Sequence, residues 1–292
     1  MNKAIFHILV SILCFAIVNV FVKSLINLGI PAHELVLFRS LVSILFCIAV
    51  IRKLGIPFFG INKKWLLLRG VFGTIALVMF FLTIKDLPLA VATTIQYFSP
   101  IFTIIFAIYL NNQRVKPIQW LFFALAFSGI FIMKSEDFLD PEKIIQWKPI
   151  LLGLGSATLS GMAYNSIIKC KSTDHPITIV MYFPLVAIPL MTLWCLFDFV
   201  MPEGIQWLYI LLMGCFTQIA QVYMTRALTS EKASIVTPYK YVGSIFAVSF
   251  GMIFFSEYLS YITLLGIIIV ISGVLINTLY ERKWRKSEQA IS

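Results

Sequence analysis

Long apolar runs separated by short polar or Pro/Gly breaks occupy almost the whole chain. A helix needs about 20 mostly apolar residues to cross the hydrocarbon layer of a bilayer. Ten runs come close to that length, so the pattern predicts ten membrane-spanning helices. The predicted spans are 4–26, 33–51, 65–84, 88–109, 117–133, 149–168, 177–199, 206–228, 233–255 and 261–280.

Composition strengthens the prediction of a polytopic membrane protein. Of the 292 residues, 60% are hydrophobic and only 12% are charged, and the mean hydropathy is +0.94. A soluble domain could not keep so much apolar surface out of water. The first run has no small-residue cleavage site, which favours a first span over a signal peptide. The five cysteines show no metal-ligand or CxxC spacing, so neither a metal site nor a cofactor is predicted.

The basic residues predict the orientation, because cytoplasmic loops of membrane proteins collect Lys and Arg. With the N-terminus in the cytoplasm, the outer side carries only Lys85, Lys134, Lys143 and Lys148. The inner side carries Lys3, Arg52, Lys53, Lys63, Lys64, Arg69, Arg114, Lys116, Lys171, Lys232, Arg282, Lys283, Arg285 and Lys286. We therefore predict a multi-pass protein of the cell membrane with both termini cytoplasmic. This distribution accounts for the net charge of +10, so nucleic acid is not predicted as a partner.

An internal repeat appears when the sequence is compared with itself at an offset of 144 residues. Gly70 then meets Gly214, Tyr97 meets Tyr241, and Gln96 meets Lys240. Five spans is an odd number, so the second copy must enter the membrane from the opposite side. Inverted repeats are typical of alternating-access transporters whose substrate site lies near the midplane. Duplication that only builds a symmetric bundle stays open as an alternative.

The predicted fold class is therefore an all-α polytopic membrane protein with ten transmembrane helices in two inverted five-helix repeats. The predicted organisation is a first repeat, an extracytoplasmic linker, a second repeat and a basic cytoplasmic tail, at 1–134, 135–148, 149–281 and 282–292.

Two positive side chains lie inside predicted spans, where an ionisable group usually faces the bundle interior or a wet cavity. Lys240 lies about 10 Å from the inner end of its span, at about 1.5 Å per residue. We predict that it lines a central site with Tyr241, Gln96 and Tyr97; capping of helix carbonyls is the alternative. For Arg39, a structural role, such as pairing with the nearby Glu34 or with helix-end carbonyls, is an equal alternative to substrate binding.

Further candidates are polar or aromatic groups in the same spans. Asn19 and Lys23 lie one helical turn apart on one face. The others are Asn165, Gln218, Tyr223 and Tyr239. The carboxylates Glu34, Asp198, Glu231 and Glu257 lie only at span ends. The site is therefore predicted to prefer a carboxylate, a phosphate or a zwitterion over a simple cation.

Several motifs carry a resemblance to a known family. They are the N-x-x-x-K of Asn19 and Lys23, "FRS" at 38–40, "SPIFTIIFA" at 99–107 and "TPYKYVGSIFAVSFGMIFFSE" at 237–257. In this order they resemble the EamA branch of the drug/metabolite transporter superfamily, and within it the subgroup that contains S-adenosylmethionine carriers. One position departs from the family: Gln113 replaces the usual glutamate after the fourth span, whereas Glu257 keeps it after the ninth.

This resemblance implies a secondary transporter for an amino-acid-like, nucleoside-like or carboxylate metabolite, with an S-adenosylmethionine-like substrate as the specific expectation. An exporter of amino acids or drugs is the alternative within the family. An intramembrane enzyme acting on a lipid-linked substrate is the alternative outside it, but no catalytic motif appears, so no enzyme is predicted. The expected partners are a small-molecule substrate and the lipid bilayer; a coupling ion or counter-substrate and a homodimer are left open.

Overall fold

A computed structural model describes residues 3–111, 116–133, 147–230 and 237–291. Every regular element in these ranges is helical. The α-helices are α1 (Lys3–Asn27), α2 (Ala32–Leu54), α3 (Lys63–Asp86), α4 (Leu89–Gln96), α5 (Ser99–Asn111), α6 (Pro117–Met133), α7 (Trp147–Cys170), α8 (Pro176–Cys195), α9 (Gln206–Ser230), α10 (Val242–Phe255) and α11 (Tyr261–Ile291). A 3₁₀ turn over Thr237–Tyr241 precedes α10.

Seven helical segments in the described ranges are long and apolar enough to cross a membrane. They are Lys3–Asn27, Ala32–Leu54, Lys63–Asp86, Leu89–Leu110, Pro176–Cys195, Gln206–Ser230 and Tyr261–Tyr280. Pro117–Met133 and Tyr239–Phe255 are shorter apolar helices. These segments confirm a polytopic, helical membrane protein. The count of ten spans stays a prediction, and the predicted linker lies largely outside the described residues.

Two of the predicted spans are interrupted near a proline. Between α4 and α5, Tyr97 N donates to Thr94 O and Phe98 N to Ile95 O, both at 3.1 Å. These are the tight bonds of a 3₁₀-like turn, and Pro100 follows directly. The 3₁₀ turn at Thr237–Tyr241 precedes α10 in the corresponding way. Because proline has no N–H to donate, helical bonding is weakened at both places.

Packing pairs helices from the two predicted halves. The most extensive interfaces are those of α3 with α7, α1 with α9, α6 with α11 and α2 with α8. If α1, α2 and α3 are exchanged with α7, α8 and α9, the α1–α9 interface becomes the α3–α7 interface. The α2–α9 and α3–α8 interfaces exchange in the same way. The bundle is thus closely symmetric in the way its helices pair.

One end of the bundle is held by a buried ion pair. Lys23, near the end of α1, pairs with Glu257, which follows α10, and donates to Leu87 O at 3.0 Å. The second carboxylate oxygen of Glu257 accepts from Leu89 N, the first residue of α4, at 2.7 Å. These contacts join chain segments far apart in sequence, and we call this the Lys23 end.

The opposite end is held by Asp174, in the turn between α7 and α8. Its carboxylate accepts from the amides of Ile61, at 2.6 Å, and Asn62, at 3.2 Å. Gly60 has a φ of +61°, and a Cβ there would lie 2.4 Å from Asp174 Oδ1. Glycine is therefore required at this position both by the positive φ and by the lack of space for a Cβ. We call this the Asp174 end.

Candidate functional site

A cavity of ≈ 210 Å³ lies between α1, α2, α3, α4, α7, α8, α9 and α10. Its wall is mostly apolar, from residues such as Ile12, Phe15, Leu77 and Phe80. Against this wall stand a few polar groups, the composition typical of a small-molecule site. The polar lining includes Asn19, Arg39, Arg69, Thr93, Gln96, Tyr97, Ser156, Ser160, Tyr164, Gln221 and Lys240.

The 3₁₀ turn before α10 positions Lys240. Its Nζ lies 3.9 Å from the centroid of the Tyr164 ring on α7. An ammonium group over an aromatic face is attracted by the ring's negative quadrupole, so the ring partly stabilises the charge. Among the described residues, no carboxylate forms an ion pair with Lys240. This lysine is therefore placed in the cavity wall and can still bind an anion.

Tyr97 fits into the cavity wall because Gly243 leaves room for it. The Tyr97 and Tyr241 rings meet edge to face, with centroids 5.4 Å apart. A Cβ on Gly243 would lie only 2.6 Å from the Tyr97 hydroxyl oxygen. A side chain at 243 would therefore displace the Tyr97 ring. Tyr241 lies behind Tyr97, buried, and is not part of the cavity lining.

Serines of α7 fix the orientation of the Gln96 amide. Gln96 Nε2 donates to Ser160 Oγ at 2.8 Å, and Ser156 Oγ lies 3.0 Å from Gln96 Oε1. The single proton of the Ser156 hydroxyl also has a nearer acceptor, Ala76 O at 2.6 Å, so the bond to Ser160 is the main constraint on the amide. Gln96 is the residue that the repeat matches with Lys240, and both line the cavity.

Two arginines meet at the part of the cavity formed by α2, α3 and α8. Arg39 and Arg69 are only 2% and 3% exposed. Their guanidinium carbons lie 5.0 and 5.6 Å from the centroid of one ring, Phe183. Arg69 Nη2 donates to Gln221 Oε1 at 3.3 Å, whereas the Nε atoms of both arginines have no acceptor among the described residues.

Glu34 does not neutralise Arg39. Its Oε2 accepts instead from the amide of Val200 at 3.0 Å, in the connection between α8 and α9. The alternative interpretation of Arg39 as the partner of Glu34 is therefore wrong. The residues that line the cavity include no aspartate or glutamate in the part of the chain that the structure describes. The cavity thus holds three cationic side chains and no carboxylate.

Arg69 is the functional candidate that sequence reasoning missed. The sequence places it near the cytoplasmic end of the third span, where a basic residue is ordinary. In the structure α3 begins earlier, at Lys63, so Arg69 lies almost two turns inside the helix and is buried. The signal that could have revealed it is Gly73, one turn further on. A Cβ there would lie 2.1 Å from Arg69 Nη1, so glycine leaves space for the guanidinium.

Some predicted site residues lie outside the cavity lining. Lys23 is engaged with Glu257 at the Lys23 end. Asn165 donates to the carbonyls of Thr103 and Gly161, each at 3.0 Å, and so joins α7 to α5. Among the predicted residues with an amide, only Asn19 and Gln96 line the cavity.

The remaining three pack between helices. Gln218 accepts from Ser43 Oγ and donates to Cys47 Sγ at 3.3 Å, which ties α9 to α2. The Tyr223 ring meets the His7 ring edge to face, with centroids 5.3 Å apart. Tyr239 is half-buried and packs against an apolar cluster that includes Ile8, Ile12 and Val222. The Gln218 amide is therefore satisfied within the protein, and both tyrosine rings pack against neighbouring side chains.

Comparisons with known proteins define the class of the molecule. The chain matches the EamA-like transporter family over residues 2–135 and 147–279, and it belongs to that family. The Pseudopaline exporter of Pseudomonas aeruginosa is 32% identical over 263 residues, which cover 88% of this chain and 89% of that protein. The S-adenosylmethionine uptake transporter of Rickettsia felis is 23% identical over 67% of this chain and 65% of that protein.

The fold also occurs among solved structures. One crystal structure has a TM-score of 0.65 at 14% identity, and covers 95% of this chain and 98% of that one. Family membership and these relatives identify a membrane transporter of small molecules rather than an enzyme, as predicted.

Proposed function

We propose that this protein is a secondary transporter that moves a small anionic or zwitterionic metabolite across the cell membrane by alternating access. The observation that carries the proposal is the charge of the cavity: among the described residues, Arg39, Arg69 and Lys240 line it, and no carboxylate does.

The electrostatic argument begins with the cost of burying charge. An ionised group inside a membrane protein is expensive unless an opposite charge or water compensates it. The ion pair between Lys23 and Glu257 lies outside the cavity lining, so it leaves the three cavity cations uncompensated. A substrate with a carboxylate or phosphate group supplies the missing charge. A simple cation would be repelled.

The rest of the wall favours a substrate with a polar, planar part. Tyr97 and Tyr164 offer aromatic faces on which a planar group can stack. Gln96, Ser160 and Asn19 offer hydrogen-bonding groups close to them. An amino-acid-like or nucleoside-like metabolite meets both requirements, and the uptake of S-adenosylmethionine by one relative makes a substrate of that kind our specific choice. The carboxylate of such a substrate would bind the cavity cations, and its positively charged sulfonium group would have to lie away from them.

The transport mechanism rests on the inverted repeat. The exchange symmetry of the helix interfaces supports it, and so does the match of the family to two successive segments. Two such halves can rock about a site at their interface and open it to each side in turn. In this proposal the protein has ten spans in two halves of five and both termini in the cytoplasm. A coupled ion or an exchanged counter-substrate drives the cycle.

The alternative within the family is export of an amino acid or drug. One relative is named an exporter and another an uptake transporter, so the family includes both directions. The charge of the cavity limits this alternative to exported compounds that carry an anionic group.

Uptake by proteoliposomes tests the proposal. Vesicles with the purified protein should accumulate an anionic or zwitterionic metabolite, with S-adenosylmethionine, glutamate and AMP as first probes. The methyl ester of a transported carboxylate should be taken up much more slowly, because it no longer compensates the cavity cations. Equal uptake of acid and ester would contradict electrostatic recognition, and protein-free vesicles give the background.

A further inference from the structure

We infer that Arg39 and Arg69 together form the binding site for one oxyanion, the carboxylate or phosphate group of the substrate, whereas Lys240 serves a separate part of the cavity. This inference rests on the proposed transport function and specifies which charge of the cavity anchors the substrate.

The first step is the convergence of the two guanidinium groups. Arg39 comes from α2 and Arg69 from α3, yet both guanidinium carbons lie within 5.6 Å of the Phe183 ring centroid. The two carbons are therefore at most about 10.6 Å apart, a range at which two like charges in a buried site repel each other. No acid among the described cavity-lining residues offsets them. Contact with the ring reduces the cost only in part. An oxyanion between them removes the repulsion.

The second step is the supply of hydrogen-bond donors. Arg69 has one guanidinium bond, to Gln221 Oε1, and its Nε has no acceptor. Arg39 has no hydrogen-bond acceptor among the described residues, although its side chain is buried, with a relative exposure of 2%. Guanidinium donors form a planar fork that matches carboxylate and phosphate oxygens. Unused donors on two buried forks point to a ligand that accepts from both.

The third step separates this pair from Lys240. Lys240 belongs to the second half of the chain and contacts Tyr164 on α7, whereas both arginines belong to the first half and contact Phe183 on α8. At the repeat offset of 144 residues, Arg69 corresponds to Met213, so the second half has no equivalent cation there. The positive charge of the cavity is therefore distributed unevenly, with two cations near Phe183 and one near Tyr164. This asymmetry orients the substrate with its oxyanion toward Phe183.

Thermal unfolding of the purified protein tests the inference without knowledge of the substrate. The probes are inorganic phosphate and acetate, each replacing chloride at constant ionic strength. A ligand that binds only the folded state raises the Tm in proportion to its occupancy. We expect at least one of these oxyanions to raise the Tm of the wild type, and Arg39→Gln and Arg69→Gln to lose that rise.

Control variants separate the site from general salt effects. Arg226→Gln removes an exposed arginine of α9 outside the cavity and should keep the full rise. Lys240→Gln should keep most of it. If Lys240→Gln loses the rise as completely as the arginine variants, the lysine belongs to the same site and its separation from the arginine pair is wrong. Arg39→Lys preserves the charge but not the planar fork, so its response should fall several-fold even if Arg39→Gln does not fold. The inference would be overturned if neither oxyanion raised the Tm of the wild type, or if the arginine variants showed the full rise in Tm.

Transport measurements distinguish failure of the site from failure of the proposed function. Uptake of an anionic metabolite that Arg39→Gln leaves unchanged would refute the site and keep the transporter. An oxyanion response that depends on both arginines, without transport of any anionic probe, would keep the site and contradict the function.

Discussion

At the scale of single residues, a charged side chain is informative only when its partners are known. Lys23 and Lys240 both lie within or near apolar runs, and the sequence makes both candidates for substrate binding. The structure gives Lys23 a carboxylate partner, Glu257, whereas the contact it gives Lys240 among the described residues is an aromatic ring, Tyr164. The expected consequences of their replacement are therefore different.

For Lys240 we expect a loss of binding without a loss of folding. Lys240→Ala removes a charged donor from the cavity wall, worth about 1.5–3 kcal/mol for a charged hydrogen bond, or roughly 10- to 100-fold in affinity. Lys240→Arg should be intermediate, since it keeps the charge but changes the reach. Equilibrium binding of a transported substrate to purified protein measures the effect.

Lys171→Ala is the matched control for this prediction. Lys171 is an exposed lysine in the turn after α7, and its loss should leave binding unchanged. If folded Lys240→Ala binds as tightly as the wild type, Lys240 is a packing residue and the arginines carry recognition alone.

At the scale of elements, the ends of the bundle depend on contacts between segments remote in sequence. Lys23 and Glu257 are 234 residues apart, and their side chains are 10% and 13% exposed. Together with Leu89 N, they join α1, α4 and the segment after α10. Asp174 does the same for the connection between α2 and α3 at the opposite end.

We expect Glu257→Gln to destabilise the protein in detergent by about 3 kcal/mol, because it leaves a buried lysine without its counter-charge. The amide oxygen of glutamine can still accept from Leu89 N, so the ion pair is the main loss. Lys23→Met combined with Glu257→Gln removes both charges and should recover most of the stability. The measurement is the Tm of the purified variants. A double variant less stable than either single variant would show that the pair does more than neutralise buried charge.

At the scale of the whole molecule, the two ends of α8 test the orientation in the membrane. Lys171 precedes α8 and Glu203 follows it, and both are exposed. In the proposed topology α8 runs from the cytoplasm to the outside. A cysteine at Glu203 should therefore react with an impermeant thiol reagent added to intact cells, whereas a cysteine at Lys171 should react only after permeabilisation.

A background without the native cysteines keeps the topology experiment specific, since Cys215 is exposed in the bundle. The reverse labelling pattern would place both termini outside. Labelling of both positions in intact cells would mean that α8 does not cross the membrane.

The sequence alone determined the class of this protein, its helices and much of its chemistry. In a bilayer, an apolar run of span length satisfies its backbone N–H and C=O groups by forming a helix. Most described helix ends lie near the predicted ones, but α11 continues to Ile291, beyond the predicted end at 280. The resemblance to the EamA branch is confirmed by the family match. A polar group inside such a run costs free energy unless it faces a cavity or a polar partner, and this cost marks candidate site residues. On that ground the sequence yields Lys240, Gln96, Tyr97, Asn19 and Arg39.

Only the tertiary structure decided which of these groups share a cavity. Arg39, Arg69 and Phe183 come from three helices, and no spacing in the sequence reveals that both arginines contact one ring. The same is true of Lys23, whose charge is balanced by Glu257 from the other half of the chain. The physical reason is general: periodicity along a helix reports which face is polar, whereas the partner of that face depends on how the helices pack.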